Sequence, residues 1–257
     1  MPSRDGRRGA LVAYCMVDRV RRGRYRALAL AARQAGATHL ELGFPFSDPI
    51  ADGPVLQARA DAAVRHGTDW RDLEAAIRDV ASILPTYVMS YANPFWRRGL
   101  DRALAEIGRA GARGFLVPDL SLEESPPWRR ASRRAGLELV LLAAPSSDRR
   151  RVAALVRRSA GFLYLVSRYG TTGAGRTAGA AALAPIVRAA HEARPDLPVY
   201  LGFGIRDAAS ARSARRTGAD GVVVATALEE RFGELPRPAT VGRILRPIAR
   251  ALRPVAT

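Results

Sequence analysis

Eight short runs rich in Val, Leu, Tyr and Phe are spaced along this 257-residue chain, with Ala/Arg/Leu segments between them. The runs fall at residues 10–16, 39–45, 85–91, 113–119, 138–144, 162–168, 198–204 and 221–227. Strand-length apolar runs alternating with helix-length amphipathic segments are the signature of parallel β-α units. The segments between them, near 22–35, 55–66, 69–83, 99–110, 122–135, 148–159, 180–193, 207–217 and 240–252, carry small and aliphatic residues at helical spacing with Arg on the opposite face. Gly36, Gly111, Gly136 and Gly218 stand just past four of them, where a left-handed cap is commonly needed. Eight units of about 30 residues fit a single (β/α)8 barrel of about 250 residues. The whole of 1–257 therefore reads as one domain, with 1–8 and roughly 237–257 as terminal extensions. The competing architecture, an open doubly wound sheet, should show three spaced glycines after its first strand. The chain reads VDRVRRGRYR there. A barrel places its active site at the C-terminal ends of the strands, so the residues that close each strand are the ones to inspect.

Composition narrows the chemistry. There are 41 basic residues against 24 acidic ones, a formal charge of +17, and none of the 41 is lysine. Schiff-base catalysis, and with it lysine-dependent aldol cleavage and pyridoxal phosphate attachment, is excluded, because a guanidinium stays protonated and cannot replace the amine. The arginines are spread through almost every segment, whereas a nucleic-acid binder gathers its charge on one face and interleaves it with aromatics. The single cysteine, Cys15, cannot form an internal disulfide, and His39, His66 and His191 do not repeat at metal-ligand spacing. No metal or cofactor is expected. No apolar window approaches the roughly 20 residues that span a bilayer, and the N-terminal segment lacks a cleavage site of the secretory kind, so the expected compartment is the cytoplasm.

The most unusual passage follows the second strand: Glu41-Leu-Gly-Phe-Pro-Phe-Ser-Asp-Pro-Ile-Ala-Asp52-Gly-Pro54. On a strand, Glu41 shares its face with His39 and Gly43, and points either into the barrel or into the helix layer. A carboxylate among aliphatic side chains is rarely buried without a reason. Desolvation raises its pKa and suits it to shuttling a proton; the other reading is an internal ion pair with an arginine. The loop beyond it adds Asp48 and Asp52 among three prolines. Stiffness of that kind holds a site in place, although Asp-Pro and Asp-Gly are also ordinary turn pairs.

The passage ELGFPFSDPIADGP resembles the second loop of the tryptophan synthase α-subunit family, barrels that cleave indole-3-glycerol phosphate to indole and glyceraldehyde 3-phosphate. MSYANPFWRRGL is similar to that family's third strand and loop, FLVPDLSLEES to its fourth, FLYLVSRYGTTGAGR to its sixth and YLGFGIRD to its seventh, all in order over roughly 9–230. The resemblance implies that Glu41 is the catalytic glutamate and Asp52 the catalytic aspartate. Cleaving the bond to indole C3 needs one proton given and another taken, which one carboxyl can do in turn. A second carboxylate near the ring N–H stabilises the charge that develops. Tyr164 matches a tyrosine that orients the glutamate; its alternative is a packed barrel aromatic. Tyr14 stands where the family has a phenylalanine facing the indole. Phe203, Gly204, Gly173, Ala225 and Thr226 fall at the family's substrate- and phosphate-binding positions, where backbone N–H groups meet the phosphate. Each glycine taken alone is also a turn former. Thr172 matches a threonine of the mobile sixth loop, and Pro45 and Asp48 lie on the loop that touches the β-subunit.

Several departures from the family accompany these matches. Ala225-Thr226 replaces the usual Gly-Ser, and Cys-Met-Val-Asp-Arg-Val replaces the Gly-Asp-Pro turn after the first strand. Ser121 stands where proline is usual. The N-terminal helix is missing, which leaves the barrel bottom to be closed in another way. Three functions are therefore weighed. The first is an indole-3-glycerol phosphate lyase, either partnered by a pyridoxal phosphate-dependent β-subunit or free-standing, and the retained acids favour it. The second is a weakly catalytic barrel that activates a partner enzyme. The third, an arginine-rich nucleic-acid binder, would show steep salt dependence.

Overall fold

The computed structural model describes residues 9–166, 179–202, 204–233 and 236–253. Eight strands, β1 (Ala10–Met16), β2 (His39–Gly43), β3 (Thr86–Met89), β4 (Gly114–Leu116), β5 (Glu138–Ala143), β6 (Leu163–Val166), β7 (Val199–Gly202) and β8 (Gly221–Val224), pair in parallel and in sequence order, and β8 closes on β1. The expected (β/α)8 barrel is the fold. Around it run α1 (Tyr25–Gln34), α2 (Pro54–Arg65), α3 (Trp70–Val80), α4 (Ala92–Arg98), α5 (Leu100–Ala110), α6 (Ser125–Ala135), α7 (Arg149–Arg158), α8 (Ala180–Ala193), α9 (Ala208–Arg216), α10 (Thr226–Phe232) and α11 (Pro238–Leu252).

The strands read as almost continuous apolar runs because both their faces are buried. In β1, Leu11, Ala13 and Cys15 join the core between strands and helices, while Ala10, Val12, Tyr14 and Met16 fill the barrel interior. The helices follow from local signals. Asp69 caps α3 through a reciprocal capping box with Asp72, Asp148 caps α7, and Pro54 stands in the first turn of α2, where its missing N–H costs nothing. β1 spans its apolar run in full, while the other strands stop short of theirs. Pro45 and Pro118 lie in two of the overruns, and a residue without an N–H cannot extend a ladder.

Two differences concern the ends of the chain. The segment beyond Arg237, read from sequence as an extension, carries α11, which packs on α1 and α9 and buries Val241, Ile244, Leu245, Ile248 and Leu252. It completes the helical ring. The N-terminal end of the barrel is filled by aromatic rings from four strand starts. Phe162 stacks on Tyr200 at 4.5 Å and meets Tyr87 edge-on at 5.1 Å, and His39 lies about 6 Å from both tyrosines. The Tyr87 hydroxyl donates to Glu138, which Arg113 also holds. These rings bring a large apolar area to the bottom of the barrel and anchor it with one charged pair.

Candidate active site

At the opposite end, the interior residues change from aliphatic to acidic and hydroxylic. Glu41 lies on β2 between Tyr14 of β1 and Tyr87 of β3 in the strand register. Its side chain faces inward. It is 3% exposed, and its Oε2 atom has no hydrogen-bond partner among the described residues. None of the ion pairs among the described residues involves it. Burial drives its carboxyl up to about 8, with the charge of Asp52 as the second cause. Desolvation without a compensating cation favours the neutral acid.

Asp52 reaches the same space from the loop between β2 and α2. It too is 3% exposed, with Oδ1 lacking a partner among the described residues. Its Oδ2 accepts a hydrogen bond from the Tyr91 hydroxyl at 3.1 Å, and the Tyr91 oxygen in turn accepts from the Ala51 N–H at 3.0 Å. Tyr91 therefore fixes both the aspartate and the loop that carries it. Burial raises Asp52 to about 6, and the Tyr91 hydrogen bond holds it lower than burial alone would. Tyr91 lies inside the MSYANPF passage that ends the third strand. The sequence held the residue but gave no sign that it reaches a loop 39 positions away.

Two interior tyrosines complete the acidic end. Tyr164 of β6 and Tyr14 of β1 are buried, and desolvation with the nearby Glu41 and Asp52 charges keeps both phenols protonated. Each ring crosses a glycine on the next strand. A Cβ on Gly43 would collide with the Tyr14 hydroxyl, and one on Gly202 with the Tyr164 ring. Pairing a large side chain with an absent one lets two tyrosines enter a crowded barrel.

These groups open into a cavity of about 440 Å³. Its walls include Tyr14, Glu41, Asp52 and Tyr164 together with Gly204, Ala225 and Thr226. The candidate acids and most of the candidate binding residues thus share one space. Thr172, Gly173 and Phe203 lie outside the described residues. Arg206 and Glu230 also line the cavity, and the sequence reading assigned them no role.

Behind the cavity wall sits another buried carboxylate, of the opposite character. Glu229 of α10 is fully buried and paired with Arg21, itself 1% exposed. The Arg21 Nη1 and Nη2 atoms donate to Oε1 and Oε2 at 3.0 and 2.9 Å, and the Met16 N–H adds a third bond at 2.7 Å. Arg21 also donates to the Met16 and Gly233 carbonyls. The turn after β1 that departs from the family pattern is therefore rebuilt around this pair. Asp18 caps a short 3-10 turn at Arg19–Arg21 and meets His66 at 3.0 Å, and Arg21 ties the turn to α10. The internal arginine pair weighed for Glu41 exists in the protein, but it belongs to Glu229.

Comparison with known proteins gives the family. The profile of the tryptophan synthase alpha chain family matches residues 2–241. This chain belongs to that family. It is 42% identical over 207 residues to the tryptophan synthase alpha chain of Synechococcus elongatus, covering 80% of this chain and 77% of the relative. The alpha chain of Methanosarcina mazei is 34% identical over 224 residues, 87% of this chain and 81% of the other. Among solved structures, a chain of Mycobacterium tuberculosis tryptophan synthase superposes with a TM-score of 0.86 at 33% identity, covering 98% of this chain and 95% of that one. A chain of the tryptophan synthase a2b2 complex of Pyrococcus furiosus gives 0.82 at 32% identity, covering 94% and 98%.

The rim of the site carries two exposed apolar side chains. Ile50, 58% exposed, stands on the loop between Glu41 and Asp52, close to the exposed Asp48, while Pro45 is buried. Trp96, 51% exposed, projects from α4 with one edge against Trp128 at 5.2 Å. The Tyr91–Ala51 hydrogen bond ties these two loops together. No helix among the described residues is long and apolar enough to cross a membrane.

Proposed function

We propose that this protein is an indole-3-glycerol phosphate lyase that splits its substrate into indole and glyceraldehyde 3-phosphate, as the α-subunit of a tryptophan synthase. The observation that carries the reading is the pair of buried carboxyls, Glu41 and Asp52, each with one oxygen that lacks a partner among the described residues, facing one cavity with different proton affinities. Near neutrality Glu41 holds its proton and Asp52 has lost its own, a division that suits an acid and an electrostatic stabiliser.

In the reaction, the Glu41 carboxyl gives its proton to indole C3, producing an indolenine cation whose N–H faces the Asp52 carboxylate. The Glu41 carboxylate then takes the proton of the side-chain hydroxyl next to C3. The bond to C3 breaks, its electron pair returns to the ring, and the new carbonyl becomes the aldehyde of glyceraldehyde 3-phosphate. Glu41 ends protonated, ready for another cycle. Tyr164 orients Glu41, and Tyr14 borders the indole. Gly204, Ala225 and Thr226, with Gly173 and Phe203 by family resemblance, receive the phosphate end. Thr172 meets Asp52 when the sixth loop closes, which excludes water.

The β-subunit docks over the rim around Asp48. The exposed Ile50 and Trp96 supply the apolar anchors that such a surface needs, and they favour the partnered form over a free-standing lyase. Cytoplasm is the compartment that the lone, buried Cys15 suits. The test is indole release from indole-3-glycerol phosphate by the purified chain, alone and with a β-subunit added. Release that rises sharply on adding the partner supports the α-subunit. Fast release without it makes the protein a free-standing lyase, and silence in both arms overturns the reaction.

A further inference from the structure

Two consecutive glutamates of α10 hold arginines in opposite ways. Glu229 grips Arg21 in the interior, whereas Glu230 meets Arg206 at the mouth of the cavity. Both oxygens of Glu230 lie on a single nitrogen of Arg206, Nη2, at 2.7 and 2.6 Å, with the side chains 56% and 29% exposed. A pair so open to solvent is weak and is readily exchanged for another anion.

We propose that Arg206 is the cation that receives the phosphate of the substrate, and that Glu230 is a resident anion occupying Arg206 until the phosphate displaces it. This rests on the reading of the protein as a lyase for a phosphorylated substrate. Among the described residues lining the cavity, three are acids, Glu41, Asp52 and Glu230, and Arg206 is the sole cation. A phosphate monoester entering such a space meets negative charge from Asp52 and Glu230 and needs a positive group near its own end. Arg206 stands two residues beyond Gly204, directly before the Asp207 cap of α9, and Glu230 lies one helical turn beyond Thr226. Both line the cavity beside the residues proposed to receive the phosphate end. The side chains of Ala225 and Thr226 narrow the approach to the α10 backbone, which increases the value of a long, flexible donor. The Nε–H and Nη1–H donors of Arg206 have no hydrogen-bond partner among the described residues and are available to phosphate oxygens in the bidentate manner that guanidinium favours. The neighbouring cleft is bordered by three arginines, Arg206, Arg231 and Arg243, against one acid, Asp207, a net positive cluster of the kind that attracts anions.

The exchange gives the two residues opposite signatures. Arg206→Gln removes the cation, whereas Glu230→Gln releases it from its resident partner. Calorimetric titration of the full chain with inorganic phosphate and with glycerol 3-phosphate, at fixed ionic strength, reads both. Arg206→Gln should weaken binding at least tenfold and raise KM for the phosphorylated substrate while leaving kcat within twofold. Glu230→Gln should tighten binding several-fold. Arg109→Gln, an exposed change of the same charge on α5, controls for net charge and should alter binding less than twofold. Unchanged phosphate affinity in Arg206→Gln, weaker binding in Glu230→Gln, or no phosphate binding by the parent protein overturns the assignment. The two claims separate cleanly. Lyase activity with phosphate affinity insensitive to Arg206 sinks this inference alone. Phosphate binding that follows the expected pattern in a protein without lyase activity sinks the reaction alone.

Discussion

Glu41 and Glu229 are both glutamates buried at the same end of the barrel, yet among the described residues Glu41 pairs with no cation, whereas Glu229 is gripped by Arg21 and has Arg59 3.9 Å away. Glu229 accepts from Arg21 twice and from the Met16 N–H, so its charge is satisfied and it serves as a strut between the turn after β1 and α10. Glu41 has an orphaned oxygen and a carboxyl raised to about 8. Burial alone does not make a carboxylate reactive. What separates a strut from the proton donor proposed for Glu41 is whether the fold brings a guanidinium to it.

The contrast is broken most severely by removing the reactive member. Glu41→Gln should lower turnover on the order of a thousandfold, the scale of a lost general acid-base group, while the protein folds as before. Steady-state indole release and a thermal melt on the same sample check both halves. If turnover survives, Glu41 has no place in the chemistry. The strut behaves in the opposite way. Arg21→Met leaves the buried Glu229 charge with only the more distant Arg59 guanidinium and the Met16 N–H, and should cost about 3–5 kcal/mol of stability. The double variant Arg21→Met/Glu229→Met should recover most of that loss in a denaturant titration. If the single variant is as stable as the parent, the pair carries no structural weight.

Titration sharpens the comparison without a substitution. The proposed mechanism needs Glu41 protonated and Asp52 ionised, so kcat/KM should be greatest between about 6 and about 8 and fall on either side. Stability should follow a related course. Both carboxyls are raised in the folded state, Glu41 from 4.5 and Asp52 from 3.8, so the folded protein binds the additional protons. Their contribution is largest in acid, below the unfolded values, and is lost as pH rises through about 6 and then about 8. Glu41→Gln removes the upper part of that slope, and its advantage over the parent should be greatest above pH 8. A parent and variant with parallel stability curves would show that Glu41 is not raised. The smallest expected effect is that of Tyr91→Phe. Losing its hydrogen bond to Asp52 should move the acid limb of the activity profile upward and cost about 1 kcal/mol. An unmoved limb would separate Tyr91 from the site.

The barrel was legible because its information is local. Each strand is a run of apolar residues and each helix an amphipathic segment, so the alternation appears within windows of a dozen residues. Short elements escaped this reading. The seven-residue helices α4 and α10 are too brief for a period to register; the helical segment at 240–252 is legible, but only the packing of α11 on α1 and α9 shows that it closes the ring. The site was half legible. Parity along β2 restricted Glu41 to an inward or an outward face, and the Asp-rich loop after it marked Asp52, but neither carboxyl could be assigned partners.

The sequence by itself determined the number and order of the β-α units, the end of the barrel where chemistry belongs, and the exclusion of lysine chemistry, since all of these follow from residue type and short-range spacing. Tertiary structure alone decided which buried acid is neutralised. Arg21 and Glu229 stand 208 positions apart and meet only because β8 closes on β1, and Tyr91 finds Asp52 only because β3 lies beside β2. A pKa depends on what surrounds a group within a few ångströms, and that neighbourhood is assembled by barrel closure from segments that are remote along the chain.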